Sequence, residues 1–131
     1  MNLDGHSTRR NISFFLDTYA LVEIFIGNEN YLKYFDKAFA ITKLNLFEFH
    51  QYLVKAKGES IADSIIEYYL PNIADFDINI IRLASKFRTR NMKKNVSMTD
   101  CIGYIFAKEN GLLFVTGDKE FSGLDNVEFV K

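Results

Sequence analysis

The sequence predicts an α/β domain, a three-layer α/β/α sandwich around a central, mainly parallel sheet. Three observations carry this. Short apolar runs of strand length recur along the chain, the cleanest being Leu112 to Thr116. Longer stretches with apolar residues at helical spacing lie between them. Turn and cap residues, with Pro71 as the only proline, punctuate the boundaries rather than forming a linker. Strands separated by helices require right-handed crossovers, which make the strands parallel.

The elements follow in order. Ile12 to Leu16 reads as a buried strand ending at Asp17. A helix follows, with Leu21, Ile24 and Phe25 on one stripe and Gly27 as its stop. Asn30 to Phe35 suits a short helix and Ala38 to Thr42 a second strand. Leu44 to Lys57 is helical until Gly58, and Ile61 to Leu70 is helical until Pro71. Ile73 and Ala74 suggest a brief strand. Ile78 to Met92 places Ile80, Ile81, Ala84 and Phe87 at helical spacing. Ser97 or Thr99 then caps a helix carrying Ile102, Ile105 and Phe106, which Gly111 ends. Leu112 to Thr116 and Val127 to Val130 complete the strands.

With 131 residues the chain has room for one domain, expected over 12–131, and residues 1–11 read as a flexible leader or expression scar. Its 13 Phe and 7 Tyr supply enough apolar surface to offset the entropy of ordering, which argues against disorder. A formal charge of -1 means that attraction to nucleic acid must come from a local patch. One cysteine, Cys101, excludes an internal disulfide and suits a reducing cytoplasm. No apolar run approaches the roughly 20 residues that span a bilayer, so no membrane is expected as a partner.

The chemistry is expected from acids. In parallel sheets, ligands bind beyond the carboxyl ends of the strands. Asp17 stands at such an end, and Asp118 stands just past the end of Leu112 to Thr116. Asp100 lies in the first turn of the helix leading into that strand, and Glu48 in the first turns of the helix after the second strand. All four can converge on one sheet edge. Like charges about 5–6 Å apart repel by roughly 3 kcal/mol at an effective dielectric near 20, which a hard divalent cation offsets. A plainer account stands beside each. Asp17 and Asp118 suit turn or cap positions, and Asp100 suits a helix dipole. Glu48 falls on a polar helix side with Gln51 and Lys55, where a solvated face explains it equally well.

The residues around these acids carry a resemblance. Phe15-Leu16-Asp17-Thr18-Tyr19-Ala20-Leu21 resembles the opening motif of PIN-domain nucleases, a strand ending in Asp followed by a small hydroxyl or amide residue. Leu46-Phe47-Glu48-Phe49 matches the family's second acidic position, and Thr99-Asp100-Cys101-Ile102-Gly103-Tyr104 its third. Leu113-Phe114-Val115-Thr116-Gly117-Asp118-Lys119-Glu120-Phe121 looks like the closing Thr-x-Asp-x-x-Phe pattern. The motifs come in family order from about Ile12 to Lys131, and the chain resembles the small VapC-type members, toxins of toxin–antitoxin pairs.

The resemblance implies a PIN-like fold and a metal-dependent endoribonuclease using Mg²⁺ or Mn²⁺. Asp17, Glu48, Asp100 and Asp118 would be the metal-binding acids. Thr116 would orient the last carboxylate, with Thr18 helping at the first motif. RNA would be the substrate, and an antitoxin protein and a second copy of the chain the partners. Three departures are visible: Cys101 after Asp100, Gly103 and Tyr104 further along, and Lys119-Glu120 after Asp118, where some members have another Asp.

Arg82, Lys86, Arg88, Arg90, Lys93 and Lys94 form a basic cluster leading toward Asp100, suited to an RNA backbone or to a solvated helix face. His50, two residues from Glu48, is a weak metal ligand beside oxygen donors. Cys101 reads as a small buried residue. The run Ile61, Ile65, Ile66, Tyr68, Tyr69 and Leu70 exceeds what one helix face hides, which suggests core packing or a dimer or antitoxin surface. A non-catalytic PIN-fold binding module and an RNA-processing nuclease that is not a toxin are the alternative readings. A haloacid-dehalogenase-like phosphatase needs Asp-x-Asp, where this chain has Asp17-Thr18-Tyr19. A receiver domain needs an acidic pair at one strand end, and Thr116-Gly117-Asp118 fits the nuclease better.

Overall fold

A computed structural model describes residues 11–131. The expected leader therefore falls almost wholly outside the described residues. The sheet has four parallel strands, β1 (Phe14–Leu16), β2 (Phe39–Ala40), β3 (Leu113–Thr116) and β4 (Val127–Phe129), in the order β2-β1-β3-β4. Each is shorter than its apolar run. Pairing holds β1 between β2 and β3 only over Phe14 to Leu16, with Phe15 opposite both Ala40 and Phe114.

Six α-helices surround the sheet: α1 (Thr18–Ile26), α2 (Glu29–Phe35), α3 (Lys43–Lys57), α4 (Glu59–Ile66), α5 (Ile78–Arg90) and α6 (Met98–Glu109). Their boundaries follow local chemistry. The Gly27 N–H bonds the Ile24 carbonyl and the Asn28 N–H bonds Glu23, a closure that needs the positive φ of 86° at Gly27. Thr42 and Asn45 form a capping box at the start of α3, and Ser97 and Asp100 form another at the start of α6.

The two faces of the sheet bury two cores. Strand alternation sends Phe15 and Phe114 to one face, where they meet Ile80 and Ala84 of α5 and Tyr104 and Phe106 of α6. Leu16 and Val115 point to the other, against Leu21 and Ile24 of α1, Tyr31 of α2, and Phe49 and Leu53 of α3. This is the three-layer sandwich the sequence predicts, with α6 so enclosed that every residue from Thr99 to Ala107 except Asp100 is buried. Gly103 permits that enclosure. A Cβ there would lie 2.8 Å from Phe15 Cε1 and 3.3 Å from Phe114 Cε1. Among the described residues no helix is long and apolar enough to cross a membrane.

Three local expectations differ from the structure. The helix expected over 61–70 ends at Ile66 and tightens into a 3₁₀-helix over Glu67–Asn72. Pro71 has no N–H to bond the carbonyl four residues back, and its ring crowds that carbonyl, so an α-helical turn cannot continue there. Ile73 makes only an isolated parallel bridge to Ile41, flanked by the Ala74 N–H to Ile41 carbonyl bond. Ile81 leaves its stripe: Ile80 and Ala84 are buried, whereas Ile81 is 43% exposed.

The tight seat of α6 makes a measurable demand. Gly103→Ala is expected to destabilise the protein by about 1–3 kcal/mol, because two buried rings must move to admit one methyl group. Urea unfolding would show this as a lowered midpoint at unchanged slope.

Candidate active site

The chain reverses its direction of travel across the sheet between β1 and β3. From β1 it moves outward to β2, and from β3 it moves the opposite way to β4. Such a switch point opens a crevice at the carboxyl ends of the two strands, because the following segments leave on opposite sides. Asp17 and Asp118 both emerge there. The Asp17 N–H extends the ladder by bonding the Val115 carbonyl at 3.3 Å, so the first acid starts from the same rung as the end of β3.

Asp17 is 2% exposed and caps α1, one carboxylate oxygen accepting from the Ala20 N–H at 2.8 Å. Burial raises its carboxyl from the ordinary 3.8 to about 8. Hydrogen bonds from Thr116 and Ala20 oppose the rise, and the charges of Asp100 and Asp118 add to it. Asp100 is also raised, first by burial and then by Asp118 and Glu48, against the hydrogen bonds from Ser97. The charge of Asp118 bears on both Asp17 and Asp100, and that of Glu48 on Asp100.

Asp118 follows Thr116 and opens a 3₁₀-helix over Lys119–Phe121, one oxygen accepting from the Glu120 N–H at 2.9 Å. The Thr116 hydroxyl accepts from the Asp118 N–H at 3.0 Å and hydrogen-bonds the Asp17 carboxylate. It therefore bonds the backbone of the last acid and favours the charged form of the first. Asp100 accepts from the Ser97 N–H at 3.0 Å. Each of the three aspartates thus commits one oxygen to a cap, which leaves its other oxygen for a further partner.

Glu48 is half-buried, and its Oε1 accepts from the Thr18 hydroxyl at 2.7 Å. Gln51 and Lys55, its neighbours on the polar side, are exposed. Glu48 is thus tied to Thr18 while its neighbours on the polar side face solvent. Asn45, which sequence reasoning missed, donates to the Thr18 hydroxyl at 3.2 Å and accepts from the Thr42 N–H. Its signal was the spacing Thr42-x-x-Asn45, a capping box with Asn in place of Glu or Gln.

The donors are all carboxylate oxygens, the chemistry that suits Mg²⁺ or Mn²⁺. Among the described residues no three acidic, His or Cys side chains stand close enough together to ligate one ion directly. Mg²⁺ retains several waters and needs only one or two direct carboxylates, so a partly water-mediated ion is compatible with this set.

The basic cluster divides. Arg82, Lys86, Arg88, Arg90 and Lys93 are exposed, Arg88 also donating to the Val96 carbonyl, whereas the half-buried Lys94 donates to the Glu120 carbonyl at 3.2 Å. Lys94 therefore braces the turn that follows Asp118. His50 pairs with Asp63 at 2.8 Å and belongs to the α3–α4 contact. Cys101 is buried, and burial raises its thiol to about 11, which leaves it protonated and inert.

No family model matches the chain, and neither does any curated protein. Solved structures do. The VapC20 toxin of Mycobacterium tuberculosis, described as cleaving the sarcin–ricin loop, superposes with a TM-score of 0.73 over 91% of this chain and 100% of that one, at 15% identity. A toxin–antitoxin complex from Klebsiella pneumoniae gives 0.71 over 88% and 96%, at 19% identity. DNA-bound VapBC from Salmonella typhimurium gives 0.71 over 91% and 97%, also at 19%. The chain has the PIN-domain α/β fold of VapC-type toxins.

The burial of Asp17 sets a sign for stability against pH. Its carboxyl titrates near 8 in the folded protein and near 3.9 when unfolded, so between those values the folded state holds the extra proton. Stability from this group is present below about pH 4 and is lost as pH rises to about 8. Asp17→Asn removes that loss. In EDTA, calorimetry should find the variant melting at least about 4 °C above wild type beyond pH 8, with the gap closing toward pH 4.

Proposed function

We propose that this chain is a metal-dependent endoribonuclease and the toxin of a toxin–antitoxin pair, acting on RNA in the cytoplasm. The observation that carries the reading is the emergence of Asp17 and Asp118 side by side from the ends of β1 and β3 at their switch point, with the charge of Asp118 bearing on Asp17 and Asp100. Asp17 and Asp100 are both held more protonated by burial and by neighbouring acids, which is unfavourable for a merely structural site. The fold supports the same reading, since a solved neighbour with it is described as cleaving RNA of the sarcin–ricin loop.

Asp17, Asp100 and Asp118 would hold Mg²⁺ or Mn²⁺, with Glu48 aimed by Thr18. A bound ion supplies a water of lowered pKa and neutralises charge developing on a phosphodiester. Thr116 keeps the Asp17 carboxylate in place, and Lys94 steadies the Asp118 turn. Arg82, Lys86, Arg88, Arg90 and Lys93, exposed on α5 and the segment after it, would bind RNA phosphates, Arg88 also donating to the Val96 carbonyl.

An antitoxin partner is supported by the VapBC complexes among the neighbours and by an apolar surface. Tyr69 of the 61–70 run packs in the core, but Ile61, Tyr68 and Leu70 remain exposed. Tyr68 lines a cavity of about 510 Å³ with Leu32 and Phe35 of α2. The homodimer expected from the sequence has a second apolar groove available between α5 and α6, lined by Ile81, Met92 and Met98.

Mn²⁺ calorimetry on wild type and Asp100→Asn tests the site without knowledge of the substrate. Asn retains the oxygen that caps α6, so the fold should persist while affinity weakens by roughly tenfold or more. Cleavage of structured RNA in Mn²⁺ should disappear in the same variant and in Asp17→Asn. A fully active Asp100→Asn enzyme would sink the mechanism. Absence of Mn²⁺ binding in wild type, with a partner still bound, would favour the non-catalytic binding module.

A further inference from the structure

Tyr19 lies two residues beyond Asp17, in the first turn of α1, and is 44% exposed. Tyr31 is buried, its hydroxyl anchored on the Val130 carbonyl at 2.5 Å. Tyr19 rests on Tyr31 with centroids 6.2 Å apart and planes tilted by 38°. Its ring edge lies on Gly117, the residue between Thr116 and Asp118. A Cβ at Gly117 would overlap Tyr19 Cε1, approach Cζ to 2.7 Å and stand 2.6 Å from the Tyr31 hydroxyl. The ring is thus braced from behind, held at the acidic crevice, and open on its remaining surface.

We propose that Tyr19 is a stacking platform for the nucleobase next to the scissile phosphodiester, and that the bare Gly117 is what lets the ring stand there. The proposal rests on the ribonuclease reading and adds a positioning residue to it. A phosphodiester held at the acids carries its flanking bases one sugar away. Unpaired RNA bases stack on aromatic faces without regard to their hydrogen-bonding edges. A ring already fixed by Gly117 and Tyr31 gives up little side-chain freedom when a base arrives. The contact would favour unpaired nucleotides at the cleavage site and tolerate any base there.

The experiment is steady-state cleavage in Mn²⁺ of an RNA oligonucleotide that wild type cuts, with Tyr19→Phe, Tyr19→Leu and Tyr19→Ala. Stacking predicts that KM rises about tenfold in the Leu and Ala variants while kcat changes little. Tyr19→Phe should stay within about twofold of wild type, since the π-face is retained. Tyr19→Leu keeps apolar bulk over Gly117, so its loss cannot be assigned to a collapsed site. The series is repeated on oligonucleotides lacking the base on either side of the cut. With the stacked base absent, the difference between wild type and Tyr19→Ala should vanish. Equal KM for all variants on intact RNA, or the same loss on the abasic RNA, overturns the proposal and leaves the ribonuclease reading standing. If wild type binds Mn²⁺ and cleaves no RNA, the ribonuclease reading fails and this inference fails with it.

Discussion

The parallel pairing of β1 with β3 is the constraint on which the rest of the molecule depends. It aligns Leu16 with Val115 and hands the ladder on to the Asp17 N–H, which bonds the Val115 carbonyl. Without that register, Asp17 and Thr116 would not meet, and the two halves of the acidic site would belong to separate loops. The pairing also divides the cores. Phe15 and Phe114 pack under α5 and α6, while Leu16 and Val115 pack under α1 and α3. A slip of one residue would exchange both sets and turn the acids away from each other.

The hydrogen bonds that hold the acids also cap the N-termini of helices. Asp17, Asp100 and Asp118 each cap a helical turn with one oxygen. A cap locates a carboxylate closely because its N–H donors belong to a helix that cannot shift independently. Glu48, which caps nothing, is held through Thr18 and Asn45 instead.

Two glycines set how closely layers approach. Gly103 lets α6 lie against Phe15 and Phe114, and Gly117 lets Tyr19 and Tyr31 close over the end of β3. In the motifs these positions looked like departures or fillers. In the fold they are contact points where the absence of a side chain admits an aromatic ring.

Much was legible from the sequence alone. The alternation of apolar runs with helical stretches determined the layered parallel fold, because periods of two and of 3.6 residues leave separable patterns. The positions of Asp17, Asp118, Asp100 and Glu48 relative to those elements pointed to one sheet edge, as did their ordered motifs. Tertiary structure alone decided the rest. The partner of Glu48 is Thr18, which is 30 residues away in sequence. The true partners of the Thr116 hydroxyl depended on β1 pairing beside β3. Ile81 was turned outward because α5 buries only the narrower stripe of Ile80 and Ala84. The exposed Tyr19 ring took its place from Gly117, a residue almost at the other end of the chain. Periodicity reports which side of an element is apolar, but contacts between distant segments exist only once the sheet register has brought those segments together.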